Sequence, residues 1–205
     1  MDSEEIPLWD EESERAWQKD NHDVTMPEAV VTLLSNILVP CAKILDAGCG
    51  IGKHLKALTE LGYDVVGIDQ SKKAVEHARE LNPAAKIFLM RIQDLNVPNS
   101  FNLIHTSGVL QHSTNERKNL ILSQFCMALK PMGYLLCTEN TLTPENIHHH
   151  YKKEGNTMKQ LTYSEDATDD YSFTEKGWID FMATNRFRHL KTIPPCPYYL
   201  YQCEK

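Results

Sequence analysis

The 205-residue chain lacks any apolar run that approaches the roughly 18 residues of a transmembrane helix. Its start, M-D-S-E-E, is acidic and lacks the positive charge of a signal or transit peptide. These two absences predict a cytoplasmic protein without a membrane partner. A hydrophobic fraction of 41% and a charged fraction of 24% are typical of a globular domain with a sizeable core.

Positive charge is also scarce, because 21 lysines and arginines face 28 aspartates and glutamates, which gives a net charge of −7. Nucleic-acid binding needs a concentrated basic patch. The longest basic cluster, R-F-R-H at 186–189 with Lys191, is short and is typical of a solvated strand edge. The composition therefore predicts no nucleic-acid partner.

Metal-site and disulfide patterns are absent as well. The six cysteines include no C-x-x-C pair, which predicts reduced, partly buried thiols rather than a disulfide framework. Three adjacent histidines stand at 148–150, but neighbouring side chains point in different directions on a helix or a strand. No H-x-x-x-H spacing supports zinc. We therefore predict no metal site.

Strand-like apolar runs alternate with amphipathic helical runs from Lys43 onward. Near-continuous apolar strands separated by helices are typical of a parallel sheet covered on both faces. The pattern predicts an α/β, doubly wound fold with a mostly parallel seven-stranded sheet and an antiparallel last strand. The predicted strands are A-K-I-L-D-A, Y-D-V-V-G-I-D, A-K-I-F-L-M, F-N-L-I-H-T, Y-L-L-C-T-E, R-H-L-K-T-I and Y-Y-L-Y-Q-C, and the predicted helices cover about 27–38, 53–61, 71–81, 115–130 and 173–185.

Residues 44–55, I-L-D-A-G-C-G-I-G-K-H-L, place three glycines directly after the first predicted strand. A glycine turn between a strand and a helix is where doubly wound folds bind nucleotides, because a ligand can approach a backbone that has no Cβ. The dinucleotide fingerprint G-x-G-x-x-G/A needs a small residue where Lys53 stands. A nicotinamide oxidoreductase is therefore disfavoured. Asp46 before the first glycine suits a ligand that carries an ammonium and a sulfonium.

The stretch D-A-G-C-G-I-G-K resembles motif I of the class I S-adenosylmethionine-dependent methyltransferases. The resemblance covers about residues 40–140 and includes Asp69, which ends the second strand, and T-S-G-V-L-Q-H-S at 106–113. It also includes the K-P-x-G turn at 130–133, which is expected before the fifth strand. It implies S-adenosylmethionine as cofactor and S-adenosylhomocysteine as product. In this resemblance Asp69 binds the ribose hydroxyls and Asp94 the adenine amino group. The implied cofactor contacts are Asp46, Gly48, Cys49, Gly50, Asp69, Gln70, Gln93, Asp94, Ser107 and Gly108.

A single domain is expected over residues 1–205. It would comprise an N-terminal helical cover at 1–39, a cofactor-binding half at 40–140, a substrate-side insertion at 141–172, and a closing helix and strands at 173–205. Methyl transfer needs positioning above all, and it needs a base only if the acceptor must lose a proton. The candidate base is His112, with Glu139 as a second catalytic candidate. The substrate-side candidates are Trp17, Tyr151 and Tyr171.

These features predict an enzyme that methylates an oxygen or nitrogen of a small-molecule acceptor. The N-P-P-Y or D-P-P-Y signature of relatives that methylate amino groups of nucleic acids or glutamine is missing after the fourth strand, where T-S-G-V stands. A protein methyltransferase with a specific partner and a non-catalytic scaffold or activator subunit both stay open. The sequence does not indicate the acceptor or the oligomeric state.

Overall fold

The computed structural model describes residues 26–139, 141, 151–154, 157–160, 168–169, 172–194 and 198–205. The helices are α1 (Glu28–Ile37), α2 (Lys53–Glu60), α3 (Lys72–Leu81), α4 (Asn115–Ala128) and α5 (Glu175–Thr184), and short 3-10 helices cover Ile92–Asp94 and Leu110–His112. The strands are β1 (Lys43–Ala47), β2 (Asp64–Asp69), β3 (Lys86–Leu89), β4 (Phe101–Thr106), β5 (Leu129–Thr138), β6 (Tyr151–Glu154), β7 (Thr157–Gln160), β8 (Thr168–Asp169), β9 (Ser172–Phe173), β10 (Phe187–Ile193) and β11 (Tyr198–Cys203).

Seven strands form one sheet in the order β3-β2-β1-β4-β5-β11-β10. β1 pairs with β2, β2 with β3, and β4 with β5 in parallel, whereas β11 is antiparallel to both β5 and β10. The predicted doubly wound sheet with an antiparallel last strand is confirmed. By its internal contacts the chain divides into two compact units, Met1–Ile92 and Gln93–Lys205.

In the first unit, the three parallel strands carry α2 and α3, which both contact β2. Residues Val65 to Ile68 of β2 are buried, as expected for an inner parallel strand against which helices pack. Two predicted helix starts are confirmed. Pro27 precedes α1. The Ser71 hydroxyl caps α3 by accepting a hydrogen bond from the Ala74 N–H at 3.3 Å.

In the second unit, the predicted turn at 130–133 lies inside a strand. Helix α4 ends at Ala128, and β5 begins at once at Leu129. The β4–β5 register jumps from Phe101 opposite Leu129 to Leu103 opposite Tyr134. Proline has no N–H to donate, and Met132 has a φ of +62°, so these residues interrupt the ladder locally without ending the strand.

Two further expectations in the second unit are corrected. Helix α5 begins at Glu175 rather than Phe173, because Phe173 pairs in β9 and the Thr174 hydroxyl caps the helix by accepting from the Gly177 N–H at 3.1 Å. All six residues of β11 are buried, although the sequence suggests alternation. β11 lies between β5 and β10, and the burial of all six residues shows that both of its faces are covered.

Two of the cysteines lie side by side. Cys126 of α4 and Cys203 of β11 have Cα atoms 5.9 Å apart, which is within the range of a disulfide, and the expectation of reduced thiols stays a prediction for this pair. The pairing joins positions 77 residues apart, which no local sequence pattern reveals. Cys41, Cys49 and Cys137 are free thiols. Within the described residues, every helix falls short of the length and apolarity needed to cross a membrane.

Candidate functional site

In the first unit, the glycine turn after β1 folds back onto the end of β2. The N–H groups of Gly48 and Cys49 both donate to the Ile68 carbonyl, at 2.8 and 3.0 Å. The Gly50 N–H donates to Asp69 Oδ2 at 2.9 Å, and Asp69 Oδ1 accepts from the Ser71 N–H at 2.8 Å. The structure therefore brings the predicted glycine turn into direct contact with Asp69, the residue predicted to bind the ribose.

Backbone conformation explains why this turn is built from glycine. Gly48, Gly50 and Gly52 have φ values of +74°, +53° and +83°, in the left-handed region that side chains disfavour. The turn reverses the chain within a few residues and leads into α2, whose N-terminus follows Gly52. Free N–H groups at such a helix start are available to a polar ligand.

Negative charge is concentrated at the same turn. Asp46 is 2% exposed and lies within the buried run of β1, one residue before the strand ends at Ala47. Burial raises the pKa of Asp69, the Ser71 and Gly50 N–H groups lower it, and the Asp46 charge raises it further. Burial and then the two carboxylates also raise the pKa of the Cys49 thiol. A phosphate would be repelled here, whereas a positively charged group would be attracted.

The predicted contacts for the adenine ring follow β3. Gln93 and Asp94 lie in the short 3-10 helix, Gln93 half-buried and Asp94 exposed. Gln70 is exposed beside Asp69 at the end of β2. An exposed carboxylate after a strand is accessible to a ligand, and the assignment of Asp94 stays a prediction.

In the second unit, Thr138 holds the loop after β4, a role that the sequence does not reveal. Its hydroxyl accepts from the Gly108 N–H at 3.1 Å and shares a 3.0 Å hydrogen bond with the Ser107 hydroxyl. Thr138 ends β5, which pairs with β4 in parallel, so the two strand ends meet at one edge. Knowledge of the strand pairing would have been needed to find this contact.

Lys118 fixes the other end of that loop. This lysine is fully buried in α4, where its ammonium donates to the Ser113 carbonyl at 2.7 Å and lies 5.1 Å from the centre of the Phe173 ring. The backbone of His112 ends the 3-10 helix next to Ser113. The His112 side chain is outside the described part, so its role as a base stays a prediction.

Buried ionisable side chains lie at the end of β5 and on the neighbouring strand β11. Glu139 is 2% exposed, and the Tyr199 hydroxyl donates to Thr141 Oγ1 at 3.4 Å. Burial raises the pKa of Tyr199 to about 12, and burial also raises the pKa values of Tyr201 and Cys137. Neighbouring charges, Glu139 among them, act in the same direction on all three groups. These groups therefore stay protonated at neutral pH.

Several sequence predictions fall outside what the structure describes. Trp17, Tyr171 and the histidines at 148–150 lie outside the described residues, and only the backbone of Tyr151 is described, at the start of β6. Within the described ranges, no group of three or more His, Cys, Asp or Glu side chains is placed to share a metal ion.

A family model described as "Methyltransferase domain" matches residues 44–133. A phosphoethanolamine N-methyltransferase of Plasmodium falciparum is 29% identical over 152 residues, which are 71% of this chain and 56% of that protein. A probable tRNA methyltransferase 9B of Homo sapiens is 31% identical over 113 residues, which are 53% of this chain and 24% of that one. The chain spans about half the length of the first curated relatives that it matches.

Solved structures show the fold over almost the whole chain. Magnesium protoporphyrin IX methyltransferase from Synechocystis PCC 6803, with bound S-adenosylhomocysteine, superposes with a TM-score of 0.71. The match covers 97% of this chain and 98% of that one, at 16% identity. This likeness agrees with the strand order of the sheet, in which one strand near the end is antiparallel.

Proposed function

We propose that this chain, whose residues 44–133 match the methyltransferase domain model, is a class I enzyme that transfers the methyl group of S-adenosylmethionine to an oxygen or nitrogen of a small molecule. The observation that carries the proposal is the glycine turn closed onto Asp69 by the Gly50 N–H. The cytoplasmic location predicted from the sequence stays a prediction.

The residues of the turn fit this cofactor. Asp69 Oδ2 accepts from the Gly50 N–H and Oδ1 from the Ser71 N–H. A carboxylate oxygen has two lone pairs, so both oxygens can still accept hydrogen bonds from the ribose hydroxyls. Asp46 supplies the negative charge that suits an ammonium and a sulfonium. The predicted cofactor contacts of Cys49 and Gln70 would come from the glycine turn and from the end of β2.

S-adenosylmethionine supplies a methyl group on a sulfonium sulfur, which leaves as a neutral thioether. The chain's task is then to orient the acceptor, to exclude water and to take a proton where the acceptor has one to lose. We assign the role of accepting that proton to His112 or Glu139. The buried phenols of Tyr199 and Tyr201 are unsuited to it, because their pKa values are raised.

A small-molecule acceptor is supported by the relative named phosphoethanolamine N-methyltransferase. The human relative named probable tRNA methyltransferase 9B supports a nucleic-acid acceptor instead, and a net charge of −7 counts against it. A protein acceptor and a non-catalytic scaffold are the competing hypotheses. We favour the small molecule because the charge and the relative with the wider match both point to it.

Two measurements test the proposal in sequence. Calorimetry with S-adenosylhomocysteine should give a micromolar Kd, and no binding at about millimolar ligand would exclude the cofactor site. Transfer of a labelled methyl group should then be assayed with three acceptor pools: small amines and alcohols, unmodified tRNA, and folded proteins. Label in the small-molecule pool is the expected result. Label only in tRNA or protein would overturn the acceptor class, and binding without any transfer would favour the scaffold.

A further inference from the structure

Asn82 connects the end of one helix to the glycine turn. It follows α3 as the C-cap residue and is 8% exposed. Its Nδ2 donates to the Gly52 carbonyl and to the Ala78 carbonyl, both at 3.1 Å. The first bond spans 30 residues of sequence, and the second closes the last turn of α3. Both donor hydrogens of the amide are thus used.

Gly52 is the residue at which the turn becomes helix α2. Its N–H donates to the Cys49 carbonyl at 2.9 Å, and its carbonyl accepts from the Lys56 N–H at 3.0 Å. A Cβ built on Gly52 would lie 2.6 Å from Asn82 Nδ2 and 3.1 Å from Ala78 Cβ. The third glycine therefore makes room for the end of α3, which is a packing requirement inside the protein.

We infer that Asn82 is a positioning residue for cofactor binding, because its amide holds Gly52 and thereby the Cys49–Gly50 segment whose N–H groups meet Ile68 and Asp69. The inference rests on the proposed function, in which this turn binds S-adenosylmethionine. Gly52 and Cys49 are joined by a hydrogen bond, so a shift of Gly52 displaces the Gly50 N–H from the Asp69 carboxylate. An Asn82 variant should therefore lose ligand affinity beyond any loss of stability.

Asn185 provides a matched control for a capping role alone. It is the C-cap of α5, and its Nδ2 donates to the Phe181 carbonyl at 3.0 Å, four residues back, as Asn82 does to Ala78. Its other side-chain bond goes to its neighbour Thr184 at 3.4 Å. The two asparagines therefore share the helix-end bond and differ in the bond to the turn.

The test compares N82D and N185D with the unchanged chain by S-adenosylhomocysteine calorimetry and by thermal unfolding. A carboxylate keeps the shape of the amide but cannot donate to the two carbonyls. We expect both variants to lower the Tm, and N82D alone to raise the Kd at least about tenfold, which is about 1.4 kcal/mol. Where N82D does not fold, N82A removes the donors without adding charge, and the same rise in Kd is expected.

A pH series separates positioning from a structural defect. On acidification the carboxyl introduced by N82D takes up a proton and regains one donor. The ratio of the N82D Kd to the wild-type Kd should therefore shrink between about pH 8 and about pH 6, since burial raises a carboxyl pKa toward that range. A wild-type Kd for N82D and N82A, or equal changes in N82D and N185D, would overturn the inference. If the unchanged chain binds no S-adenosylhomocysteine, the proposed function fails instead.

Discussion

Replacement of Asp69 by asparagine tests the centre of the proposed cofactor site. The carboxylate accepts backbone N–H groups from Gly50 on one oxygen and from Ser71 on the other. An asparagine has the same shape but only one acceptor oxygen, so its NH₂ group must face one of these donors. One N–H loses its partner in either orientation of the amide.

The structure sets the size of the effect. An N–H left without its partner costs about 1–3 kcal/mol. The neutral amide, however, avoids the penalty of burying a charge, which raises the pKa of Asp69. Because the two effects oppose each other, the unfolding free energy should change by less than about 2 kcal/mol. A hydrogen bond from a ribose hydroxyl to a carboxylate contributes about 1.5–3 kcal/mol. Loss of that bond raises the Kd for S-adenosylhomocysteine by about 10–150-fold.

Calorimetry at neutral pH provides the assay, and Asp64→Asn provides the control, because Asp64 is exposed at the other end of β2. The control should bind S-adenosylhomocysteine like the unchanged chain. In the unchanged chain, the affinity for S-adenosylhomocysteine should also fall on acidification. Because the pKa of Asp69 is raised, this loss should begin at a pH above the usual carboxyl pKa of about 4. An unaltered Kd in Asp69→Asn would refute the ribose assignment and with it the register of the whole site.

Two other substitutions test the second unit. Thr138→Val removes the hydroxyl that binds Ser107 and Gly108. It should therefore lower the unfolding free energy by about 1 kcal/mol and speed hydrogen exchange at the Gly108 amide. Unchanged exchange would show that other contacts hold this loop. The pKa of Tyr199 is raised to about 12 in the folded chain, above about 10 when unfolded, so its stability contribution is complete below about pH 10 and is lost as the pH rises toward 12. Urea unfolding should show a smaller alkaline loss in Tyr199→Phe, and an equal loss would contradict the assignment.

The sequence is sufficient to predict the sheet because each central strand is a continuous apolar run bounded by polar or turn residues. The limits of β5 escape prediction for a physical reason. Pro131 and Gly133 normally end an element, yet here the partner strand β4 continues the pairing on both sides of them. The start of α5 escapes prediction because Phe173 is apolar enough for a helix, while pairing in β9 and the Thr174 cap decide the boundary.

In the candidate site, too, some residues are predictable from the sequence and others are not. The glycine turn and Asp69 are predictable as parts of one site, since motif I and the end of the second strand stand in a fixed order along the chain, and the structure adds the contact between Gly50 and Asp69. The roles of Asn82, Thr138 and Lys118 are not predictable. Each of them hydrogen-bonds a loop or turn, and no pattern in the sequence links the two positions. Lys118 is the clearest case, since a lysine in the first half of a helix normally predicts a solvated position. Burial among neighbours from other elements reverses that expectation.

Cys49 shows how packing limits the role of a predicted cofactor contact. Its side chain lies against β2, where a Cβ built on Gly67 would be 3.1 Å from Cys49 Sγ and 2.5 Å from Leu55 Cδ1. Gly67→Ala should therefore lower the unfolding free energy by about 1–3 kcal/mol through overpacking, and it should weaken S-adenosylhomocysteine binding by pushing the turn outward. A stability change within about 0.5 kcal/mol would show that the turn yields easily, and the tight closure onto Asp69 would then lose its support. The Cys49 thiol is thus packed against β2, while its N–H bonds the Ile68 carbonyl and its carbonyl accepts from the Gly52 N–H, so Cys49 serves the turn mainly by holding its shape.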